Sequence, residues 1–185
     1  MRQQHGIIEG HQFGIDARLV PHDVEPGCRD GAVSQCCDQG RLVNDGASAV
    51  VVASEDWAQA NGKEAVATIV GYGMIGDDFP YLAKTPAKAA QQALEKAGLT
   101  AADVDLWEIN EAFASVALNS IRMLGVEEDK VNVNGGAIAL GHPIGASGGR
   151  IIGALVHELQ RRGGGLGCAA ICSGGGQGDA ILLRV

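Results

Sequence analysis

The chain predicts an α/β fold on a mixed sheet, and three features carry that expectation. From residue 65 onward, short apolar runs alternate with amphipathic segments that begin and end on helix-start and helix-stop residues. The chain holds 28 glycines in 185 residues, clustered at turns between those segments. That is about twice the usual share of ~7%, and the clustering points to close backbone approach. Two of the glycine clusters each carry one reactive side chain, His142 and Cys172.

The elements follow in order. Residues 47–53 are a valine-rich run, read as a buried strand. Ser54 caps a short helix with Glu55 and Asp56 in its first turn, where negative charge suits the helix dipole, and Asn61-Gly62 ends it. Residues 65–72 form the next strand. Thr85 as cap and Pro86 as first helical residue start a helix through 87–96, which stops at Gly98. Thr100 and Asp103 form a capping pattern before a strand at 104–109. Residues 111–124 read as a helix with Phe113, Val116, Ala117, Ser120 and Leu124 on one stripe. Residues 131–133 read as a strand. Residues 146–162 read as a helix buried through Ile151, Ile152, Leu155, Val156 and Leu159. Strands at 166–171 and 180–185 are joined by a glycine turn. The order from residue 65 is β-α-β-α-β-α-β-β, which gives a five-stranded, largely parallel sheet with an antiparallel closing pair.

Residues 1–43 lack such signals. They hold three of the five cysteines and three of the five histidines, and poor order is expected there. The formal net charge of −8 argues against nucleic acid as a partner. No apolar run approaches the ~20 residues of a membrane span, and no signal peptide is recognisable, so a cytoplasmic location is expected. Five cysteines (28, 36, 37, 168 and 172) do not suggest a disulfide framework. Metal binding is not expected: Cys168 and Cys172 have no second pair at finger spacing, and a site from His22, Cys28, Cys36 and Cys37 would be forced. No dinucleotide or nucleoside triphosphate loop occurs.

The chemistry lies in three places. His142 sits in Gly141-His142-Pro143 between a strand and a long helix, where α/β folds present their sites. A histidine that merely pins its loop is the competing reading, and the surrounding motif favours catalysis. Cys172 leaves a strand into Ser173-Gly174-Gly175-Gly176, which exposes a thiol and frees N–H groups for an oxyanion. An ordinary thiol titrates near ~8.5, so it needs a neighbouring imidazole or dipole to act as a base. Cys168, within the strand, reads as a small buried hydrophobe, and His157 as a solvated helix residue. Asn110-Glu111-Ala112-Phe113 sits at a strand end. Asn110 would either cap the following helix or hold a water or oxyanion, with Glu111 in that helix's first turn and Phe113 walling an apolar pocket.

Residues 106–114 (Leu-Trp-Glu-Ile-Asn-Glu-Ala-Phe-Ala), 132–150 and 172–178 resemble the three C-terminal signatures of the thiolase family. The resemblance runs from about residue 43 to the C-terminus and is nearest to the acetyl-CoA acetyltransferase branch. It implies a thiolase-like half, a mixed five-stranded sheet with helices on both faces. By position, His142 matches the histidine that activates an acyl-accepting cysteine and helps bind the thioester oxygen. Asn110 matches the asparagine that holds a water in that oxyanion hole. Cys172 matches the acid/base cysteine, and Gly174 the glycine whose N–H serves a second oxyanion hole. Ala112 and Phe113 would line the acyl pocket. The implied reaction is ping-pong: acyl transfer to a cysteine, then Claisen condensation of two acetyl-CoA, or thiolysis of a 3-ketoacyl-CoA. CoA thioesters are substrates there, and no cofactor is implied.

Two departures stand out. Family members are about twice this length, and their nucleophilic cysteine lies in an N-terminal half. None of Cys28, Cys36 or Cys37 sits in that motif. The family's CoA-contacting serine stretch before Asn44-Asp45-Gly46 reads Cys37-Asp38-Gln39-Gly40-Arg41-Leu42 here. The expected organisation is therefore a non-native or poorly ordered segment at 1–43, the last strand and helix of the N-terminal half at 44–62, and the C-terminal domain at 63–185. A shifted reading frame or misplaced start is the leading explanation for the break. The strand at 47–53 would lack its sheet partners. The expected consequence is a homo-oligomer, or dependence on the missing half, and little turnover by the chain alone. The alternatives are full activity with a nucleophile from another chain, a non-catalytic acyl-CoA or lipid-binding module, and a ketoacyl carrier-protein synthase. The two glycine motifs with Cys172 fit the last poorly.

Overall fold

The structure, a computed structural model, describes residues 13–18 and 44–185. Along the chain run β1 (Phe13–Arg18), β2 (Ala49–Ser54), α1 (Glu55–Ala60), β3 (Ala67–Gly76), α2 (Thr85–Ala97) and β4 (Leu106–Ile109). They are followed by α3 (Ala114–Leu124), the single turn α4 (Ala137–Leu140), α5 (Ser147–Arg162), β5 (Leu166–Ser173) and β6 (Gln177–Arg184). Short 3-10 helices occupy Phe79–Lys84, Ala101–Asp103 and Glu128–Lys130.

One six-stranded sheet has the order β2-β1-β3-β6-β5-β4. Strands β3, β4 and β5, which enter through helical connections, all point the same way. β6 is inserted antiparallel between β3 and β5, and β4 pairs parallel with β5. The insertion puts two antiparallel ladders in the middle of the sheet, which is therefore less parallel than the largely parallel sheet expected. β3 also runs past the expected end at Tyr72, because β6 pairs with it as far as Gly76↔Gln177. β2 lies at one edge. Its partner is β1, antiparallel from Phe13↔Ser54 to Arg18↔Ala49, in a segment where no strand was expected. The remaining residues of 1–43, and the expectation of poor order there, lie outside the described residues.

Helices cover both faces. Period-two alternation sends Trp107 and Ile109 to one side, with Cys168, Ala170 and Leu182, against Ala89, Ala90, Ala93 and Leu94 of α2 and Ala117 of α3. It sends Leu106, Ala169 and Leu183 to the other, against Ile151, Leu155, Val156 and Leu159 of α5. Each fully buried aliphatic side chain of this kind contributes about 1.5–3 kcal/mol.

Several expected ends move for identifiable reasons. Ser54 caps α1 as expected, accepting from Trp57 N at 3.3 Å, and Thr100 with Asp103 forms the expected capping box. Thr85 does not cap α2. Its hydroxyl instead lies between two carbonyls, Gln177 O at 2.7 Å and Leu82 O at 2.9 Å, and shares its one proton with them, tying α2 to the start of β6. Residues 131–133 are not a strand. Val131 makes a single parallel bridge to Trp107, and Asn132 then turns to φ 48°, the sole positive φ among the described non-glycine residues. Asparagine tolerates that region. Its side-chain amide takes over where the backbone ladder would run: Ile109 N donates to Oδ1 (2.8 Å) and Nδ2 donates to Ile109 O (2.9 Å).

Gly73 of β3 lets α2 lie directly on the sheet, since a Cβ there would overlap the Ala89 carbonyl and come 2.9 Å from Ala93 N. Gly76, on the same strand, has open space. Gly73→Ala is therefore expected to lower stability by about 1–3 kcal/mol, and Gly76→Ala by a few tenths at most. Thermal unfolding of the two variants checks this; equal Tm values would mean that α2 can retreat from the sheet without loss.

Candidate functional site

The carboxyl ends of β4 and β5 bring the three sequence motifs together. Asn110 follows β4 and stays in the sheet, its N–H donating to Ala170 O at 2.9 Å. Ala170 lies two residues before Cys172 on β5, so Asn110 and Cys172 leave neighbouring parallel strands at the same end. His142 comes to Asn110 from the loop between α4 and α5, with Asn110 Nδ2 3.5 Å from His142 Nε2. Both side chains are buried, at 1% and 9% exposure.

Both imidazole nitrogens have a polar side chain beside them. His142 Nδ1 lies 2.6 Å from Ser147 Oγ, which is also 3.1 Å from Pro143 O. In the tautomer that carries its proton on Nδ1, Ser147 Oγ accepts from the ring and Nε2 is the basic nitrogen, on the side of the Asn110 amide. Ser147 opens α5 and is fully buried. Its role was not read from the sequence, although a serine five residues after the histidine of a Gly-His-Pro turn and at a helix start is a usable signal.

The loop around His142 is braced from residues 44–48. Asn44 Nδ2 donates to Leu140 O (3.2 Å) and Ser48 Oγ to Ala146 O (2.7 Å). Gly141, at φ 88°, makes room for the Asn44 side chain.

Asn110 does not cap α3, and Glu111 does not lie in that helix. Ala112 N bonds back to Asn110 O at 3.0 Å, a turn incompatible with helix, and α3 begins at Ala114. Glu111 instead accepts from Asn132 Nδ2 (2.8 Å) and Ile138 N (3.0 Å). Ala112 is buried and Phe113, at the N-cap position of α3, is half-buried. Cys172 is half-buried at the end of β5, opposite Gly178, and Gly174 is exposed in the turn beyond it. Asp77 N reaches Gly176 O at 2.8 Å and steadies that turn, with Asp77 itself held by Lys88. Cys168 is fully buried, and burial pushes its thiol up, which keeps it protonated as a packing residue. His157 is exposed against Gln160. Among the described residues no group of His, Cys, Asp or Glu is arranged to hold a metal ion. His22, Cys28, Cys36 and Cys37 lie outside them.

Beneath Asn110 sits a buried carboxyl that the sequence reading passed over. Glu108 is 6% exposed on the α5 face of β4 and lines a cavity of about 50 Å³ with Asn110, Gly136 and Arg150. Burial, then the like charge of Glu111, pushes it up to about 8, against the pull of Arg150. Glu158 on α5 goes the other way. Arg161, Arg162 and Asn134 all donate to it and hold it down at about 2.

Comparison with known proteins gives a consistent picture. Residues 63–185 match the model of the thiolase C-terminal domain. An acetyl-CoA acetyltransferase of Chromobacterium violaceum is 49% identical over 156 residues, 84% of this chain and 39% of that protein. The human mitochondrial 3-ketoacyl-CoA thiolase is 48% identical over the same shares. These alignments are longer than the stretch from residue 43 to the C-terminus, so similarity reaches into the residues before it. Among solved structures, the acetyl-CoA acetyltransferase of Bacillus anthracis matches with a TM-score of 0.76 at 43% identity, over 79% of this chain and 37% of that one. The human mitochondrial 3-ketoacyl-CoA thiolase in complex with CoA matches with a TM-score of 0.72 at 46% identity, over 79% and 38%. The chain thus spans about 39% of the length of the curated relatives it matches. No helix among the described residues is long and apolar enough to cross a membrane.

Glu108 predicts a pH dependence with a definite sign. A carboxyl raised from its ordinary 4.5 to about 8 contributes stability that is complete below 4.5 and lost as pH rises to about 8. Within that window the loss runs at up to about 1.4 kcal/mol per pH unit. Glu158 loses its contribution only as pH falls from 4.5 toward 2, so the two do not overlap. Urea unfolding between pH 5 and pH 8 is expected to show stability falling with pH, and Glu108→Gln to flatten the fall. An unchanged slope in that variant would assign the effect elsewhere.

Proposed function

Since this chain belongs to the thiolase family, we propose that it supplies the C-terminal part of a thiolase-type acyltransferase that condenses two acetyl-CoA or cleaves a 3-ketoacyl-CoA. The observation that carries the reading is the Asn110–His142–Ser147 chain at the strand end shared with Cys172.

The tautomer with its proton on Nδ1 fits the first half of the reaction. With Nδ1–H on Ser147, His142 Nε2 can take the proton of an attacking thiol. Once protonated, the same nitrogen becomes a donor to the thioester oxygen as the attacking sulfur adds; the acyl–sulfur bond to CoA then breaks, and CoA leaves as a thiol with the proton of Cys172, which becomes the thiolate. Asn110 adds its amide beside it, and its buried Oδ1, which has no partner among the described residues, is the acceptor with which it would hold a water in that oxyanion site. In the second half, the Cys172 thiolate takes a proton from the carbon alpha to the second thioester. The enolate oxygen so formed is held by N–H groups of the glycine turn, Gly174 first. The enolate carbon attacks the acyl group on the nucleophilic cysteine, a C–C bond forms, and that cysteine leaves as thiolate. Ala112 and Phe113 wall the acyl side. CoA thioesters enter as substrates, and the scheme requires no cofactor. A thiol base requires reducing surroundings, which suits a cytoplasmic site of action.

Within this reading the attacking cysteine comes from an N-terminal thiolase half. The chain would act as an oligomer or together with such a half. Exposed apolar side chains agree: Val51 and Val52 on edge strand β2 are 60% and 52% exposed, and Tyr72 and Met74 on β3 are 58% and 65% exposed.

An acetoacetyl-CoA thiolysis assay tests the proposal. The chain alone is expected to give no turnover, and the chain combined with an N-terminal thiolase half to give turnover that His142→Ala or Cys172→Ala lowers about 10²–10⁴-fold. Equal rates with and without the added half would overturn the incomplete site, and binding of acyl-CoA with no turnover in either would favour a binding module. Sedimentation of the chain alone is expected to show association; a monodisperse monomer would mean that its apolar faces are already covered.

A further inference from the structure

Glu111 joins the two motifs of the site. It is covalently next to Asn110, and its carboxylate reaches across to the loop that carries His142. One oxygen accepts from Asn132 Nδ2 at 2.8 Å and the other from Ile138 N at 3.0 Å. Ile138 lies in α4, whose N-cap is Gly136 and has no side chain to offer. Glu111 supplies from another part of the chain the acceptor that an N-cap side chain usually provides. Gly136 is required by the approach, since a Cβ there would overlap the Glu111 carboxyl. From Ile138 the path to His142 is short and stiff. Leu140 N bonds to Gly136 O (3.0 Å) and Gly141 N to Ala137 O (2.8 Å), and His142 follows at once.

We propose that Glu111 is the positioning residue that sets the Asn110–His142 contact, by clamping Asn110's strand end to the turn that delivers the imidazole. The inference rests on the reading of Asn110 and His142 as partners in an oxyanion site. The clamp needs length and two acceptors together. Aspartate keeps the charge and loses the reach. Glutamine keeps the length but sets an NH₂ against one of two N–H donors. Asn132 is the fixed end of the clamp, because the same amide also holds Ile109 N and O of β4. Ser147, five residues from His142 in sequence, holds the ring from the far side and does not depend on Glu111.

The test reads the ring directly in the chain as it stands. The ¹⁵N resonances of the His142 imidazole are recorded with the ring neutral in the wild-type chain, Glu111→Asp, Glu111→Gln and Asn110→Ala. Thr100→Ala, in the exposed capping box, serves as a control for general loss of stability. In Glu111→Asp, the Nε2 resonance is expected to move toward its position in Asn110→Ala, with the Nδ1 resonance, beside Ser147, unmoved. The Ile138 amide is expected to exchange at least tenfold faster. Glu111→Gln gives the same readout should the aspartate variant not fold. Ring resonances at wild-type positions in the folded Glu111 variants, beside a fall in Tm like that of Thr100→Ala, would overturn the proposal. The spectra need no turnover, so a chain with a displaced ring and no acyl transfer in any combination would fail the thiolase reading alone.

Discussion

The site depends on how the outer edge of β4 is closed. An edge strand exposes a row of N–H and C=O groups, and here a single asparagine satisfies them. After one bridge at Val131, the chain turns at Asn132, and the side-chain amide bonds both backbone groups of Ile109. A full strand at 131–133 would have paired the same groups and carried the chain straight on along the edge. Asn132 instead stops the pairing and leaves residues 133–141 to cross the carboxyl end of the sheet. That turn puts His142 over Asn110.

The same turn marks where sequence reasoning succeeds and where it stops. The helices, most of the strands and the antiparallel closing pair follow from periodicity and breakers, whereas helices on both faces and a joint role for His142, Asn110 and Cys172 were implied by the resemblance of their motifs to a known family. Local signals decide such features, and the Ser54 cap and the Thr100–Asp103 box hold for that reason. Thr85, Asn110, Glu111 and Asn132 are different. Each carries a polar side chain with a plausible local use, and each reaches something at least 23 residues away: Thr85 to Gln177, Asn110 to His142, Glu111 to Ile138, Asn132 to Ile109. Side chains of these types have several possible partners, and which of them the fold brings within reach is displayed by no window of sequence. The insertion of β6 between β3 and β5 was hidden likewise, since pairing order is a property of the whole chain.

Electrostatics separate the parts of the site by depth. At the mouth, the His142 imidazole faces the Asn110 amide. One layer down, Glu108, Glu111 and Glu158 sit within reach of Arg150, Arg161 and Arg162, and their surroundings drive them apart. Arg161, Arg162 and Asn134 hold Glu158 down at about 2, whereas Glu108, buried without such donors, is pushed up to about 8. A protonated carboxyl under Asn110 spares the neighbourhood one negative charge, which under the proposed thiolase reading would favour an oxyanion there.

The position of β6 has a consequence for how the molecule is assembled. Residues 177–184 are the last strand in sequence and yet stand inside the sheet, with β3 on one side and β5 on the other. β2, β1 and β3 can pair with one another, and β4 with β5, but nothing joins the two groups across the sheet until β6 is in place. A growing chain holds two unpaired inner edges until then, each a template for the wrong strand. The final eight-residue strand thus acts as a keystone: the sheet closes from its C-terminal end, late and all at once.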